Sequence, residues 1–402
     1  MRPVYLDHHA TTPLDPEALD AMMPFLRGEF GNAASRTHAY GWRAAEAVES
    51  ARARVAAAIG GEAREIVFTS GATEANNLAI LGFAEANADR GRHVVTAATE
   101  HTSVLDPCRE LRARGFDVGV LPVDSDGRLS PEDVARSLKP ETILVTLALA
   151  NNEIGTLHPI AAIAMAARER GIACHCDASQ AVGKVPVDVR RLGVDLLSFT
   201  AHKLYGPKGV GALWVRRATP RLALAPLLFG GGHEKGLRPG TPNVPGAVGF
   251  GVAAEKAAGR VFEESLRIGS LRDRLERSIL GRLPGVVRNG HPAERLPGNA
   301  NLSFEGVTAE AVMEGMRDEV AVSSGSACSS ASVSASHVLL AIGRDERLAH
   351  ASIRFGVGRQ NTEKDIDRAA DAVVREVTRL RAAEPARTAE RPADRRIIEW
   401  SR

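Results

Sequence analysis

The stretch TILVTLALA (142–150) is the strongest indicator of the fold. It carries no charged residue, and apolar and polar side chains do not alternate along it. Such a run is typical of a β-strand buried on both faces, as in a parallel sheet covered by helices. The helical segment IAAIAMAARERG (160–171) follows and ends at a glycine, a normal helix stop. A second apolar run, IACHCDAS (172–179), comes next, so the order predicts a strand–helix–strand unit with parallel strands.

Similar apolar runs recur on both sides of this unit, and the segments between them have mostly helical composition. These runs are EIVFTS (65–70), HVVTA (93–97), FDVGVL (116–121) and VDLLSF (194–199). We therefore predict an α/β fold with a mostly parallel sheet flanked by helices. After about residue 240 the pattern changes to a long helical stretch, at roughly 245–280, and several short segments. A further helix at 362–380 has apolar residues at helical spacing and follows Thr362, a favourable N-cap.

The change in pattern predicts two domains, which fits a length of 402 residues. We assign residues 16–245 to a large α/β domain. Residues 1–15 and 246–402 form a smaller α+β domain, which includes a segment of small residues at about 323–335 and a C-terminal tail.

Charge and composition exclude several classes of protein. With 51 basic and 49 acidic residues the net charge is +2, so nothing general favours nucleic acid or a membrane surface as a partner. The opening MRPVYLDHHATTP has no apolar core of a secretory signal, and no apolar run is long enough for a transmembrane helix. Four irregularly spaced cysteines do not form a disulfide framework. We expect a cytoplasmic protein with no nucleic-acid or membrane partner.

The segment TAHKLYGPKGVGALWV (200–215) places Lys203 between His202 and a turn rich in glycine. An isolated lysine of this kind is normally an exposed surface residue. The alternative is a Schiff-base lysine, whose amine is neutral when desolvated. Asp177 ends the run IACHCDAS, where α/β sheets bind ligands, although it could also serve only as a helix N-cap. Pyridoxal phosphate (PLP) requires such a pair, a lysine for its aldehyde and an acid beside its pyridine nitrogen.

Other residues could complete a PLP site. TSGATEANN (69–77) reads as a strand, a glycine turn and a helix start, whose backbone N–H groups favour a phosphate, and Thr73 adds a hydroxyl. Thr200 and His202 could reach the same phosphate. His101 follows the strand HVVTA and could stack on a planar cofactor, or it could be a capping or exposed histidine.

At this point the sequence resembles the cysteine desulfurases, within the fold-type I (class V aminotransferase-like) PLP enzymes. The similarity is to the branch that contains the housekeeping iron–sulfur desulfurase and its nitrogenase-associated relative. The similar stretches run in family order from residue 5 to 359. They are YLDHHATTPLDP, FGNAASRTH, EIVFTSGATEANNLAI, TEHTSVLD, NNEIGT, HCDASQAVGK, SFTAHKLYGPKGVGAL, GGGHEKGLRPGT, SSGSACSSAS and SIRFGVGR.

The resemblance implies a role for each residue of the cofactor site. Lys203 would hold PLP and Asp177 would pair with the pyridine nitrogen. Gln180 and Asn152 would contact the ring oxygen. The phosphate would be bound by a larger group, namely Ala72, Thr73, Thr200, His202 and, from the neighbouring subunit, Thr241. The last of these implies a homodimer with shared sites.

The resemblance also implies how substrate is handled. His101 would stack on the ring and assist proton transfer, and Arg354 would bind the substrate carboxylate together with Asn152. Cys328, in SSGSACSSAS (323–332), would be the nucleophile that takes the sulfur. The small residues around it predict a mobile segment at about 325–335, with Cys328 away from Lys203 at rest. No metal is expected, because Cys174 and Cys176 fit a structural role in an apolar strand.

The implied activity is PLP-dependent removal of sulfur from L-cysteine. Products would be L-alanine and a Cys328 persulfide, which would be passed to an acceptor such as an iron–sulfur scaffold and possibly to tRNA thiolation. The alternatives are a selenocysteine lyase, another class V PLP enzyme such as a transaminase, or a desulfurase dedicated to nitrogenase or to DNA sulfur modification. A sulfur-transfer scaffold without turnover is a further alternative. The C-terminal IIEW favours the housekeeping type, whereas VSASHV after the cysteine segment departs from the family pattern.

Overall fold

The computed structural model describes residues 2–217, 222–324 and 335–383. The strands are β1 (Val4–Tyr5), β2 (Ile66–Thr69), β3 (His93–Ala97), β4 (Asp117–Leu121), β5 (Thr142–Ala148), β6 (Ala173–Asp177), β7 (Leu196–Thr200), β8 (Gly211–Val215), β9 (Val286–Asn289), β10 (Asn299–Phe304), β11 (Val320–Ala321), β12 (Ser323–Ser324) and β13 (Ser352–Gly356). Cys328 and the predicted mobile segment from 325, together with the tail from 384, lie outside the described residues.

The helices surround and connect these strands. They are α1 (Pro16–Arg27), α2 (Ala39–Ala57), α3 (Ala72–Asn77), α4 (Phe83–Ala86), α5 (Thr102–Ala113), α6 (Pro131–Ser137), α7 (Ile160–Glu169), α8 (Val189–Leu192), α9 (Val244–Leu280), α10 (Ala309–Met316), α11 (His337–Ala341), α12 (Glu346–His350) and α13 (Glu363–Ala383). A π-helical turn, Leu78–Gly82, joins α3 to α4 into one helical run. No helix in the described ranges combines the length and the apolar character needed to span a membrane.

The central sheet follows the prediction from TILVTLALA. In the described part of the chain it has seven strands in the order β2-β8-β7-β6-β5-β3-β4. All neighbouring pairs are parallel except those of β8. Every residue of β5 is buried, and α7 connects β5 to the parallel strand β6. The predicted α/β fold with a mostly parallel sheet is confirmed.

A second, antiparallel sheet has the order β12-β13-β10-β9. It packs with α10 and α13 around a separate apolar cluster that contains Phe304 and Phe355. The strand β1 pairs with β11, so the N-terminal segment lies with the C-terminal third of the chain. This arrangement agrees with a small domain built from both ends, although the domain limits at residues 15 and 245 stay a prediction.

Helix α9 connects the two apolar cores. Its 37 residues correspond to a length of about 55 Å. Its first half contributes residues such as Phe250 to the core of the large sheet, and its second half contributes residues such as Leu275 to the other core. The last helix, α13, begins after Thr362, whose hydroxyl accepts from Asp365 N, so the predicted N-cap is observed.

Candidate active site

A cavity of about 520 Å³ opens where the carboxyl ends of β5, β6 and β7 meet the N-terminus of α3. Parallel strands bring their carboxyl ends to one edge of a sheet, where α/β proteins bind ligands. Many of the sequence-predicted site residues lie on its wall: Ala72, Thr73, His101, Asn152, Asp177, Gln180, Thr200, His202 and Lys203. The structure therefore brings together residues that are up to 131 positions apart in the chain (203 − 72).

Lys203 lies at the end of a short 3₁₀ turn, Ala201–Lys203, directly after β7. The turn is braced by the N-terminal segment, because the Thr12 hydroxyl and amide both donate to the His202 carbonyl at 2.8 and 2.9 Å. Two residues after Lys203, Tyr205 has a left-handed φ of 68°, which is unfavourable for a residue with a side chain. Thr12 Oγ1 accepts from Tyr205 N at 2.8 Å, so the same segment stabilises this strained conformation.

Asp177 is buried and ionised. Its Oδ1 accepts from Ser179 N at 2.8 Å and its Oδ2 accepts from Asn76 Nδ2 at 2.7 Å. Burial alone would raise the pKa of this carboxyl, but the hydrogen bonds from Ser179 and Asn76 and the charge of Lys203 outweigh it and leave the pKa below its ordinary value. Asp177 thus caps the turn after β6, as the alternative interpretation of the sequence held, and also presents an anionic carboxylate to the cavity.

His101 is connected to Asp177 through side chains that the sequence did not reveal. Asn76 Nδ2 donates to Ser103 Oγ at 2.9 Å as well as to Asp177, and Ser103 Oγ lies 2.8 Å from His101 Nδ1. His101 is also the N-cap of α5, because its Nδ1 accepts from Ser103 N. Burial and the charge of Lys203 lower the pKa of His101, so the ring is neutral at pH 7 with its proton on Nε2.

Replacing Asn76 with alanine is expected to lower the free energy of unfolding by about 2 kcal/mol, since it leaves a buried carboxylate without one of its donors. Because this donor depresses the pKa of Asp177, the loss should be largest above the pKa of an unfolded aspartate, about 3.9. It should shrink as the pH falls and Asp177 takes up a proton. Urea unfolding across pH measures it. The control is Asn77→Ala, whose side chain donates only to the Thr73 carbonyl of its own helix; an equal loss there would contradict the assignment.

The N-terminus of α3 lies on the cavity wall, where the sequence predicts that a phosphate would bind. Gly211 of β8 lies so close that a Cβ there would come within 2.7 Å of the Gly71 backbone, and this brings the glycine turn beside Thr200. His202 forms the opposite wall, with Nδ1 3.1 Å from Thr11 Oγ1. Burial and three nearby lysines lower the pKa of His202 to about 4, so it is neutral and can donate a hydrogen bond without carrying a charge.

Two further predicted residues, Gln180 and Arg354, have partners that the sequence did not reveal. The Gln180 side chain bonds to His9 and Lys184 rather than standing alone in the cavity. Arg354 is only 1% exposed and is not part of the cavity wall. Its Nη1 donates to the Asn152 carbonyl at 2.9 Å, directly behind the wall. Arg354 Nε is buried and has no hydrogen-bond partner among the described residues, so the side chain keeps one donor for an anion.

Comparison with known proteins identifies the family. Residues 4–369 match the aminotransferase class-V family. The chain belongs to this family. It is 51% identical over 400 residues to "Cysteine desulfurase IscS" of Anaeromyxobacter dehalogenans, covering 99% of this chain and 98% of that protein. It is 50% identical over 385 residues to "Cysteine desulfurase" of Mus musculus, covering 96% and 83%. A solved "NifS-like protein" superposes with a TM-score of 0.87 at 34% identity, covering 94% and 100%.

Class-V aminotransferase and cysteine desulfurase family members are PLP-dependent, and the cavity has the donor set that this cofactor needs. An ionised carboxylate (Asp177) and an amine (Lys203) lie on one wall, and the N-terminus of a helical run lies on another. Neutral Thr and His side chains complete the phosphate end. In this class-V protein the residues therefore fit PLP.

The segment that contains Cys328 is anchored to the site at its N-terminal side. Ser323 is buried, its hydroxyl donates to Asp7 Oδ1 at 2.9 Å, and it accepts from Arg354 Nη2 at 2.8 Å. Asp7 also accepts from Arg354 Nη2 at 2.9 Å. The last described residues before Cys328 are thus joined to the arginine behind the cavity wall.

The C-terminal side is anchored to two loops of the same cavity. Ser336 Oγ donates to Glu153 Oε2 at 2.5 Å, and His337 Nε2 donates to the Glu100 carbonyl at 3.0 Å. Glu153 follows Asn152 and Glu100 precedes His101, so both contacts lie beside predicted site residues. Burial raises the pKa of Glu153 to about 7, against the Ser336 hydrogen bond and the charge of Arg354. Both anchoring side chains belong to VSASHV (333–338), the stretch that departs from the family pattern.

Thr241 is exposed and is not part of the cavity wall. Two ion pairs hold the segment that leads to Thr241. The segment supplies the acidic residue of one pair and the basic residue of the other. Glu234 forms a two-fold hydrogen-bonded pair with the Arg52 guanidinium at 2.6 and 2.7 Å, and Arg238 pairs with Glu74 at 2.9 Å. Glu74 follows Thr73 at the start of α3, so the Thr241 segment is tied to the phosphate end of the cavity.

Proposed function

We propose that this protein is a cysteine desulfurase. It removes the sulfur of L-cysteine, releases L-alanine, and carries the sulfur as a persulfide on Cys328 to an acceptor protein for iron–sulfur cluster assembly. Membership of the class-V family does not by itself specify the reaction, and one observation favours a desulfurase. The described residues on both sides of Cys328, namely Ser323, Ser336 and His337, are hydrogen-bonded to residues next to the cavity wall. A transaminase has no use for a thiol tethered in this way. The naming of close relatives as cysteine desulfurase supports the same reading.

Bound PLP supplies an electron sink for charge that develops at the substrate Cα. Lys203 would hold the cofactor, and its amine would serve as the base for the substrate Cα proton. Asp177 is ionised and would pair with the pyridine nitrogen of the cofactor, favouring its protonated form. Both residues act at the carboxyl ends of neighbouring strands, so their separation is set by the sheet.

His101 and Arg354 handle the proton and the carboxylate. His101 is neutral, with its proton on Nε2. It would exchange that proton with the reacting groups, and its ring would stack on the cofactor. Arg354 binds the substrate carboxylate, together with Asn152. Its buried and unpartnered Nε is available for this contact.

Cys328 completes the reaction as a thiolate, because a thiol is far less nucleophilic. Its sulfur attacks the substrate sulfur, so an S–S bond forms as the substrate C–S bond breaks. The electron pair of the broken bond stays with the three-carbon fragment, which takes up a proton and leaves as L-alanine. The balance is one cysteine and one thiol giving one alanine and one persulfide.

The direct test is to supply PLP-loaded protein with L-cysteine and measure alanine together with the mass of the Cys328 peptide. One added sulfur atom on that peptide, and alanine in equal amount before any acceptor is present, are expected. Turnover of L-selenocysteine without turnover of L-cysteine would instead indicate the lyase. Alanine without a persulfide would overturn the proposal.

We further propose that the protein acts in the cytoplasm as a homodimer, with Thr241 on the phosphate of the neighbouring site. The three cysteines in the described ranges, at 108, 174 and 176, are all unpaired, which suits a reducing compartment. A strongly apolar side chain, Phe229, lies 86% exposed in the segment that leads to Thr241. Leu228 beside it is also exposed, at 49%, and the two form an apolar patch that the proposed dimer would cover.

Phe229→Asp is therefore expected to weaken the dimer at least ~10-fold, because a charge would be buried at the contact. Sedimentation over a range of concentrations measures the dissociation constant. Phe262→Asp is the matched control, since Phe262 is also well exposed, at 71%, but lies on α9 away from this segment. Equal weakening by both variants, or by neither, would contradict the proposed interface.

A further inference from the structure

Lys184 lies beside the cofactor cavity and has no part in the reaction derived above. Its amine donates to Gln180 Oε1 at 2.8 Å and lies 3.4 Å from His9 Nδ1. Gln180 is buried and lies on the cavity wall together with Asp177 and Lys203. Lys184 is thus one side chain removed from the predicted position of the cofactor ring.

The contacts of Gln180 fix which way its amide faces. The His9 carbonyl can only accept, and it lies 3.0 Å from Gln180 Nε2, so the NH₂ group faces it. The amide oxygen therefore faces the Lys184 amine and His9 Nδ1, which lies 3.2 Å away and donates. Both lone pairs of that oxygen are used by Lys184 and His9. The group that Gln180 has left to offer to a ligand is the second N–H of its NH₂.

The surroundings of Lys184 are unusual for a lysine. No carboxylate within the described ranges forms an ion pair with its amine. The charged or titratable groups that face it are Lys203, Arg354, His202, His8 and His9. Burial, Lys203 and Arg354 lower the pKa of Lys184 well below its ordinary value. A half-buried lysine kept among cations is costly, and lysines are normally exposed or paired.

We propose that Lys184 is a positioning residue for the cofactor, which holds the Gln180 amide with its N–H directed at the ring oxygen of bound PLP. The inference rests on the proposed PLP site. It adds the residue that makes Gln180 the donor, and not the acceptor, in its hydrogen bond to the ring oxygen. Without Lys184 the amide oxygen loses one of its two donors. The Gln180 amide can then rotate by half a turn. In that orientation its carbonyl oxygen faces the ring oxygen of PLP, and no hydrogen bond can form between them.

The test follows the visible absorbance of the lysine-bound cofactor against pH. An N–H donated to the ring oxygen stabilises that oxygen as an anion, so its loss should raise the midpoint of the absorbance change. For Lys184→Met we expect a rise of about one pH unit, the size of one hydrogen bond to a charged group. In protein that already carries Gln180→Ala, Lys184→Met should move the midpoint little further. If Lys184 acts only through Gln180, the effects of the two substitutions are not additive.

Lys208→Met is the matched control. Lys208 is a lysine on the cavity wall itself, but it forms no hydrogen bond with Gln180 among the described residues, so its effect should add to that of Gln180→Ala. An unchanged midpoint in Lys184→Met, or a shift that adds fully to that of Gln180→Ala, would overturn the inference. If Lys184→Met does not fold, Lys184→Gln keeps a donor at this position and should give a smaller shift than Lys184→Leu. Wild-type protein that binds no PLP would instead refute the proposed function.

Discussion

Cys328→Ala is expected to lower alanine formation from L-cysteine by ~10³-fold or more, with no change in the amount of bound cofactor. The reason lies in the state of the other thiols. Cys108, Cys174 and Cys176 are all buried, and burial raises the pKa of each, to about 12 for Cys108. None of them can supply a thiolate at pH 7, so none can replace the nucleophile.

The measurement is alanine formation with cofactor absorbance recorded on the same sample. Cys108→Ala serves as the control, because it also removes a thiol but only from the apolar core beside α5. It should retain near-native turnover and show a modest loss of stability. Sulfide or alanine formed by Cys328→Ala at the native rate would rule out Cys328 as the nucleophile.

Lys203→Ala is expected to abolish the visible absorbance of lysine-bound PLP and to reduce turnover by roughly 10³-fold or more, since one amine both holds the cofactor and moves the Cα proton. The fold should be preserved, because the Thr12 hydroxyl and amide both donate to the His202 carbonyl and hold the turn that carries Lys203. The unfolding temperature of the cofactor-free variant should therefore stay close to that of cofactor-free native protein.

Lys208→Ala is the comparison for this second variant, as it removes a neighbouring lysine on the same cavity wall. It should keep the absorbance of the lysine-bound cofactor. Retention of that absorbance in Lys203→Ala would mean that another amine carries PLP, and the half-buried amine of Lys184 would be the first to examine.

The sheet, and the placement of Asp177 and Lys203 on one cavity, could be predicted from local sequence. A strand covered on both faces is mostly apolar, so the run at 142–150 predicted a buried central strand. The observed strand, Thr142–Ala148, is entirely buried. Asp177 and Lys203 were predicted because each follows such a strand, and strand ends converge in a parallel sheet. The long helix was predicted at about 245–280 and is observed at Val244–Leu280, since its apolar spacing is continuous.

The contacts that orient the site could not be predicted, because they join distant parts of the chain. Asn76 and Asp177 are 101 residues apart, and Arg354 and Asp7 are 347 residues apart. No local pattern records such pairs. The sequence predicted that Gln180 contacts the cofactor ring, but it did not predict that its side chain hydrogen-bonds to His9 and Lys184. Arg354 was expected to bind the substrate carboxylate, and no local pattern showed that Asp7 and Ser323 would hold it directly behind the cavity wall.

The position of the N-terminal segment has a consequence for how the protein is made. Asp7 and the neighbouring backbone of Leu6 and His8 bond to Arg354 and Gly356 in the last strand, β13. Chains emerge from the ribosome N-terminus first, and domains generally fold as they emerge. Asp7 must therefore wait until some 350 more residues have been added before it meets Arg354 (354 − 7). The contacts that hold Arg354 behind the cavity wall are therefore completed late, so a nascent chain can form its large sheet before it has a working site.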